Sequence, residues 1–303
     1  MHHPVDAVML SQRAASFTRR SLKADAKRTA LRLAVSMVDL TTLEGADSPE
    51  CARALCRRAI HPCPEPVMPA VPPVAAVCVY PRLVPVVREG LLGSAVKVAS
   101  VSTAFPSGQS SLELRVQETA AAVAAGADEI DMVISRGAFL AGRLDDIRTE
   151  VMEVQDACQG AHLKIILETG ELGTPDNIRR CADLVIDAAT ERGELRDGSV
   201  FVKTSTGKVS PAATMPSVLL LLESVRAHFR STGLRLGVKP AGGIRKSKAA
   251  LHLLVMVRET VGPDWLQPAL FRIGASSLLD DLVRQILWTS RGQYAAMHDV
   301  GVT

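Results

Sequence analysis

Lysines set among apolar residues in β-rich runs carry the chemical information in this chain. The stretch Phe201–Lys208, FVKTSTGK, opens as an apolar strand and ends as a polar loop bearing a glycine. Lys203 lies between Val202 and Thr204, and a strand turns successive side chains to opposite faces. Lys203 is therefore directed away from both neighbours. In a sheet covered on both faces that direction is an interior. Desolvating an ammonium is costly, and the same cost lowers its pKa and makes a neutral, nucleophilic amine available. The pattern recurs. Asp39 lies between Val38 and Leu40, Asp131 between Ile130 and Met132, and Lys164 between Leu163 and Ile165. Lys239 follows Val238, and Glu168 stands four residues after Lys164, on the same face of an unbroken strand. These three lysines and three acids are expected to meet inside the fold, because buried charges are tolerated when paired.

A neutral lysine beside a second lysine and an acid suggests Schiff-base chemistry. The amine attacks a carbonyl, and the protonated imine becomes an electron sink while a neighbouring C–C bond breaks or forms. The second cation keeps the amine neutral by like-charge repulsion, and the acid moves protons. Blander roles compete for some of these positions. Asp39 has a capping or pairing role open to it, Lys164 and Glu168 a structural partnership, and Cys78 the role of a small core residue.

Eight β-rich runs, each followed by a helical stretch, must position these groups. The runs are Met37–Leu43, Val74–Pro81, Val96–Thr103, Glu129–Ser135, His162–Thr169, Ser199–Thr206, Arg235–Pro240 and Leu270–Ala275. The alternation predicts an α/β fold, an eight-stranded parallel (β/α)8 TIM barrel, with helices such as Ser111–Ala125 and Ala212–Ser231 outside it. The other architecture for this alternation is an open doubly wound sheet. No G-x-G-x-x-G follows the first run, which counts against a dinucleotide-binding version. The expected organisation is an N-terminal helical extension over residues 1–30 and a barrel domain over residues 31–303. Ser11–Arg32 reads as one basic helix, packed on the main domain rather than acting as a transit peptide. The proline-rich segment His61–Pro73 reads as a surface insertion.

Loops after the last three runs are rich in glycine and hydroxyls: Ser205-Thr206-Gly207-Lys208, Ala241-Gly242-Gly243-Ile244-Arg245 and Gly274-Ala275-Ser276-Ser277. In such barrels the final loops and a helix N-terminus often form a phosphate site. Lys208 or Arg245 would add charge. Gly207-Lys208 is not a P-loop, since Val202 occupies the required upstream glycine position and Val209 the Ser/Thr position.

At 303 residues and 47% hydrophobic, the chain can build a large core without disulfides or metals. Its net charge of +3 is too small to argue for nucleic acid, and Phe17 is the lone aromatic of the basic N-terminal stretch. No apolar run approaches the ~20 residues that span a membrane. The six cysteines form no C-x-x-C pair, which fits a reduced, cytoplasmic setting.

The motifs DLTTL, AAVCVYPR, EIDMVIS, LKIILETGEL, FVKTSTGK, GVKPAGGIR and RIGASSLL resemble those of the deoxyribose-phosphate aldolase family, over about Ala30 to Ile286. The resemblance implies a class I aldolase barrel that reversibly cleaves 2-deoxy-D-ribose 5-phosphate to D-glyceraldehyde 3-phosphate and acetaldehyde, in deoxyribonucleotide catabolism. It implies Lys203 as the Schiff-base lysine, Lys239 as the lysine that perturbs it, and Asp131 as the acid of a proton relay. Asp39, Thr206 and Lys208 match polar groups of the substrate site, and Cys78 and Lys164 positions close to it. Gly207, Gly242, Gly243, Ser276 and Ser277 match a phosphate cradle. No metal or organic cofactor is implied. The implied partners are phosphosugar and aldehyde substrates and a second copy of the chain, with a dimer expected; neither nucleic acid nor membrane is. Two departures stand out. Glu44 occupies a position where some members carry Asn, and Tyr294 is the tail's one tyrosine where some members end in a tyrosine that reaches the site. Another phosphosugar aldolase or transaldolase, using the same lysine, and a barrel that has lost catalysis stay open as alternatives.

Overall fold

Every β-rich run of the sequence becomes a strand of one parallel sheet, and the intervening helices cover its outer face. The computed structural model describes residues 4–63, 67–191 and 195–292. Two helices come first, α1 (Ala7–Phe17) and α2 (Ala24–Ser36). Then follow β1 (Val38–Thr41), α3 (Pro49–Ile60), β2 (Ala76–Val79), α4 (Val84–Gly90), β3 (Lys97–Ser102) and α5 (Leu112–Ala124). The middle of the chain forms β4 (Glu129–Val133), α6 (Arg136–Leu140), α7 (Leu144–Ala157), β5 (His162–Ile166) and α8 (Pro175–Glu191). The remainder forms β6 (Val200–Lys203), α9 (Met215–Thr232), β7 (Gly237–Lys239), α10 (Ser247–Thr260), β8 (Ile273–Ala275) and α11 (Leu278–Arg291).

The strand order is β7-β6-β5-β4-β3-β2-β1-β8. Isolated parallel bridges, Val238 to Phe271 and Ala241 to Gly274, join β7 to β8 and close the ring. This is the expected TIM barrel.

Alternation sorts the strand side chains. On β6, Val200 and Val202 join the large apolar cluster shared with the helices, while Phe201 and Lys203 turn inward. Gly237 on β7 makes room for that arrangement. A Cβ there would stand 2.3 Å from the Phe201 ring, so the absent side chain lets the phenyl fill the interior. The interior is divided. Ala76, Cys78, Ala99 and Val101 from β2 and β3 form an apolar wall with Val133, Ile166 and Phe105. The other strands face that wall with charge.

Local signals explain the helix ends that matter here. Asp6 caps α1 by accepting from the amides of Val8 and Met9, and Leu10, Ala14 and Phe17 form its buried stripe. Thr214 and Ser217 form a reciprocal cap that starts α9 at Met215, later than the expected Ala212.

Two expectations are corrected. The N-terminal segment is two helices, not one: α1 packs on α9 and α10, and α2 on α10 and α11. The strands are shorter than the runs; β5 ends at Ile166 and β6 at Lys203, one further bond reaches the next strand from Leu167 N to the Lys203 carbonyl and from Thr204 N to the Lys239 carbonyl, and beyond them the Thr206 amide turns to the Glu168 side chain. The short helix α6 was not anticipated. Residues 64–66 of the proline-rich segment lie outside the described residues; of the rest, Met68 is exposed and the Pro69 carbonyl accepts from Arg32. Among the described residues no helix is long and apolar enough to cross a membrane.

Candidate active site

Parallel register brings the predicted charges together. Lys203 pairs with Lys239 across β6 and β7, and Asp131 with Lys164 across β4 and β5. All four side chains point into the barrel, and their ends converge on the Asp131 carboxylate. Asp131 Oδ2 lies 2.6 Å from Lys203 Nζ and 2.7 Å from Lys239 Nζ, and Oδ1 accepts from Lys164 at 3.1 Å. All are buried. Asp39 adds a second carboxylate, 2.6 Å from Lys239.

One carboxylate shared among three amines cannot hold all of them protonated at equal ease. Lys239 has Asp39 as well, and Lys164 has Glu129 at 2.5 Å. Among the described residues, Lys203 has Asp131 alone. The protonation tendencies follow this difference. Burial pushes the Lys203 amine below its ordinary value; Asp131 opposes that and Lys239 reinforces it. For Lys239, burial is outweighed by Asp131 and Asp39, and the ammonium is held above its ordinary value. Burial works against ionisation of Asp131, yet Lys164, Lys203 and Lys239 hold its carboxyl well below the usual range. The neutral-amine tendency thus falls on the lysine nearest the opening.

That opening is a cavity of about 380 Å³ at the carboxyl ends of the strands. Lys203 reaches it from below, and Thr206, Gly207, Lys208, Gly242, Gly243, Ser276 and Ser277 line it. Gly207 and Gly242 sit back to back. A Cβ on Gly242 would come 2.9 Å from the Gly207 Cα and 2.6 Å from the Ala212 Cβ, so only bare backbone fits. Ser277 precedes the first turn of α11, whose orphan amides favour an anion. A larger groove of about 710 Å³ lies outside the barrel, between α1 and the helices α7, α8 and α9. It contains none of the strand-end residues, so size does not identify the reactive site.

The other predicted residues find different stations. Asp39 and Lys164 lie beneath the cavity, inside the ion network, and do not line it. Cys78 stands in the apolar wall; burial, then the Asp131 charge, pushes its thiol up to about 11, so it rests as a neutral thiol. Lys208 reaches across the mouth to Glu44 Oε1 at 2.7 Å. Glu168 is not a partner of Lys164. It lies beyond the end of β5 with φ +55°, and its Oε2 accepts from the Thr206 amide at 3.1 Å and from the Thr206 hydroxyl. Past Ile166 the strand alternation no longer applies. Tyr294 lies outside the described residues.

Sequence reasoning missed two members of the network. Glu129 stands two residues before Asp131 on β4, and Arg272 sits between Phe271 and Ile273. Arg272 donates to Glu129 Oε1 at 2.7 Å and to Asp39 Oδ1 at 2.6 Å. The same alternation rule, applied to each charged residue of a run, would have found both.

The sequence matches the description "DeoC/LacD family aldolase" over residues 33–283. The chain belongs to the DeoC/LacD aldolase family. It is 42% identical over 290 residues to human deoxyribose-phosphate aldolase, covering 93% of this chain and 88% of that protein. The mouse deoxyribose-phosphate aldolase is 44% identical over the same coverage. A tetrameric deoxyribose phosphate aldolase from Aeropyrum pernix shares the fold, with TM-score 0.62 at 24% identity, covering 92% of this chain and 97% of that one. The chain is therefore an aldolase, a carbon–carbon lyase.

Proposed function

We propose that this aldolase cleaves and forms 2-deoxy-D-ribose 5-phosphate through a Schiff base on Lys203, as a step of deoxyribose phosphate breakdown. The observation that carries the reading is Lys203 itself. It is a buried amine held below its ordinary pKa, opening onto a cavity whose far side is built of glycine backbone and a helix N-terminus.

The steps follow from these positions. The sugar phosphate lies with its phosphate against Gly207, Gly242, Gly243, Ser276 and Ser277 and its aldehyde over Lys203. The neutral amine adds to the carbonyl, and loss of water gives the protonated imine. Asp131 rests as a carboxylate 2.6 Å from Lys203, so it can accept a proton as the amine reacts and return it at a later step, held in place by the ammonium groups of Lys239 and Lys164. With the imine drawing electrons, the C2–C3 bond breaks as the 3-hydroxyl loses its proton. D-glyceraldehyde 3-phosphate leaves. The remaining enamine is protonated at carbon, and water releases acetaldehyde and regenerates the amine. Lys239 keeps its own proton and so presents a fixed positive charge beside Lys203.

The test is borohydride reduction in the presence of 2-deoxyribose 5-phosphate, followed by peptide mass spectrometry. The expected result is a reduced two-carbon or sugar-phosphate adduct on Lys203, absent from Lys203→Ala. An adduct on another lysine reassigns the nucleophile. A folded protein that traps nothing from deoxyribose 5-phosphate but reacts with ketose phosphates would shift the substrate class.

A further inference from the structure

The reacting amine is the uppermost member of a buried group of charges, and among them Lys203 alone lines the cavity. The bases are Lys164, Lys203, Lys239 and Arg272, and the acids are Asp39, Glu129 and Asp131. All are buried. Each acid contacts at least two of the bases, so the group behaves as one cluster rather than as separate pairs. Four bases face three acids. Buried charge in excess of its counter-charge is heavily penalised, so the cluster favours shedding one proton. Arg272 keeps its guanidinium proton at any working pH. Lys164 and Lys239 each lie against two carboxylates within 3.1 Å. Among the described residues Lys203 has one, and it is the amine that opens on the cavity.

We propose that Glu129 and Arg272 are positioning residues that set, through the cluster's charge count, the protonation of Lys203. This rests on Lys203 being the Schiff-base lysine. Neither residue lines the cavity. Arg272 supplies the surplus positive charge and lies against the Phe201 face at 5.9 Å, which leaves its charge directed at Glu129 and Asp39. Glu129 limits that surplus to one.

The remaining groups facing the cluster do not alter the count. Cys78 on β2 is a neutral thiol. Below Glu129, burial holds His162 beneath its ordinary pKa, and Lys97 at the start of β3 is exposed. Glu168, above β5, is bonded to Thr206, and none of the cluster's bases lies within ion-pair distance of it. It belongs to the rim.

Charge counting makes opposite predictions for two substitutions that a structural role would affect alike. Arg272→Met leaves three bases and three acids, so Lys203 stays protonated to higher pH. Glu129→Gln leaves a surplus of two, so Lys203 loses its proton at lower pH. The double variant restores a surplus of one.

The measurement is the rising limb of kcat/KM against pH, which reports the free enzyme's essential base. The limb is expected to move up by about one pH unit in Arg272→Met and down by about one in Glu129→Gln, about tenfold in rate at a fixed pH on the limb. In the double variant it returns to the wild-type position. Movement of both single variants in the same direction, or a double variant displaced from wild type, overturns the proposal. If one single variant fails to fold, the other single variant and the double variant carry the test: the single must move in its own direction and the double must return the limb to the wild-type position. Trapping in the wild type separates the two layers. An adduct on a lysine other than Lys203 rejects the underlying reading; an adduct on Lys203 with limbs that do not move rejects the charge count.

Discussion

Lys164 and Lys208 are each paired with a glutamate at nearly the same distance, 2.5 Å to Glu129 and 2.7 Å to Glu44. The first pair is at the barrel floor, with side chains 0% and 2% exposed; the second bridges the rim, at 30% and 74%. At the floor, desolvation raises the stakes of every charge, and removing one partner strands another. At the rim, water screens both ions and the bond is worth little. The floor therefore fixes protonation states, while the rim can exchange its partners for those of a substrate. Lys203 joins the two regions.

The largest contrast is in stability. Lys164→Met removes a cation bonded to both Glu129 and Asp131. It is expected to lower unfolding free energy by about 3 kcal/mol, toward the range for breaking a buried pair. Glu44→Gln is expected to change it by less than about 1 kcal/mol. Urea unfolding of the two variants checks the difference. Equal losses would show that the floor is not the dielectric environment described.

Acid should separate the regions next. Asp39, Glu129 and Asp131 are all held below their ordinary values by cations that overcome burial. An acid with a depressed folded value contributes stability above its unfolded pKa, about 3.9 to 4.3 here, and loses it as pH falls through the folded value. Lys203 acts in a different window. Its lowered value means the unfolded chain binds the extra proton, so its penalty is relieved as pH rises toward about 10.4. Lys164 and Lys239, held above their ordinary values, contribute stability below about 10.4 that is lost as pH rises through the folded values. Urea midpoints should fall steeply below about pH 4.5 in the wild type and in Glu44→Gln alike, and less steeply in Lys164→Met. An acid limb that flattened in Glu44→Gln would assign the effect to the rim.

The floor was also the more legible region in the sequence. Period-two alternation placed Asp39, Asp131, Lys164, Lys203 and Lys239 inside the barrel, because parallel strands buried on both faces give an isolated charge no other explanation. Glu129 is the first residue of its run and follows Asp128, so it lacks an apolar neighbour on its N-terminal side, and Arg272 opens the glycine-bearing motif RIGASSLL. Glu168 was placed by alternation two residues past the point where β5 ends. Its left-handed backbone sends the carboxylate to Thr206, a contact between loops that no local pattern encodes. The break between α1 and α2 was equally hidden. Residues 18–23 contain neither proline nor glycine, and tertiary packing on α9, α10 and α11 decides where each helix stops.

The smallest expected effect lies at the rim and tests whether its pair is built to open. Lys208 lines the cavity, and a phosphate seated on Gly207, Gly242 and Ser277 would compete with Glu44 for its ammonium. Glu44→Gln removes the competitor while keeping the side chain's length. KM for deoxyribose 5-phosphate is expected to fall by less than about fivefold, the size of an exposed ion pair, with kcat unchanged. Raising the salt concentration should shrink the difference, since exposed charges are screened. Addition of acetaldehyde to a phosphate-free acceptor should not respond to the substitution at all. A rise in KM instead would mean that Glu44 itself holds the sugar, and the rim would then be a second rigid region rather than the exchangeable counterpart of the floor.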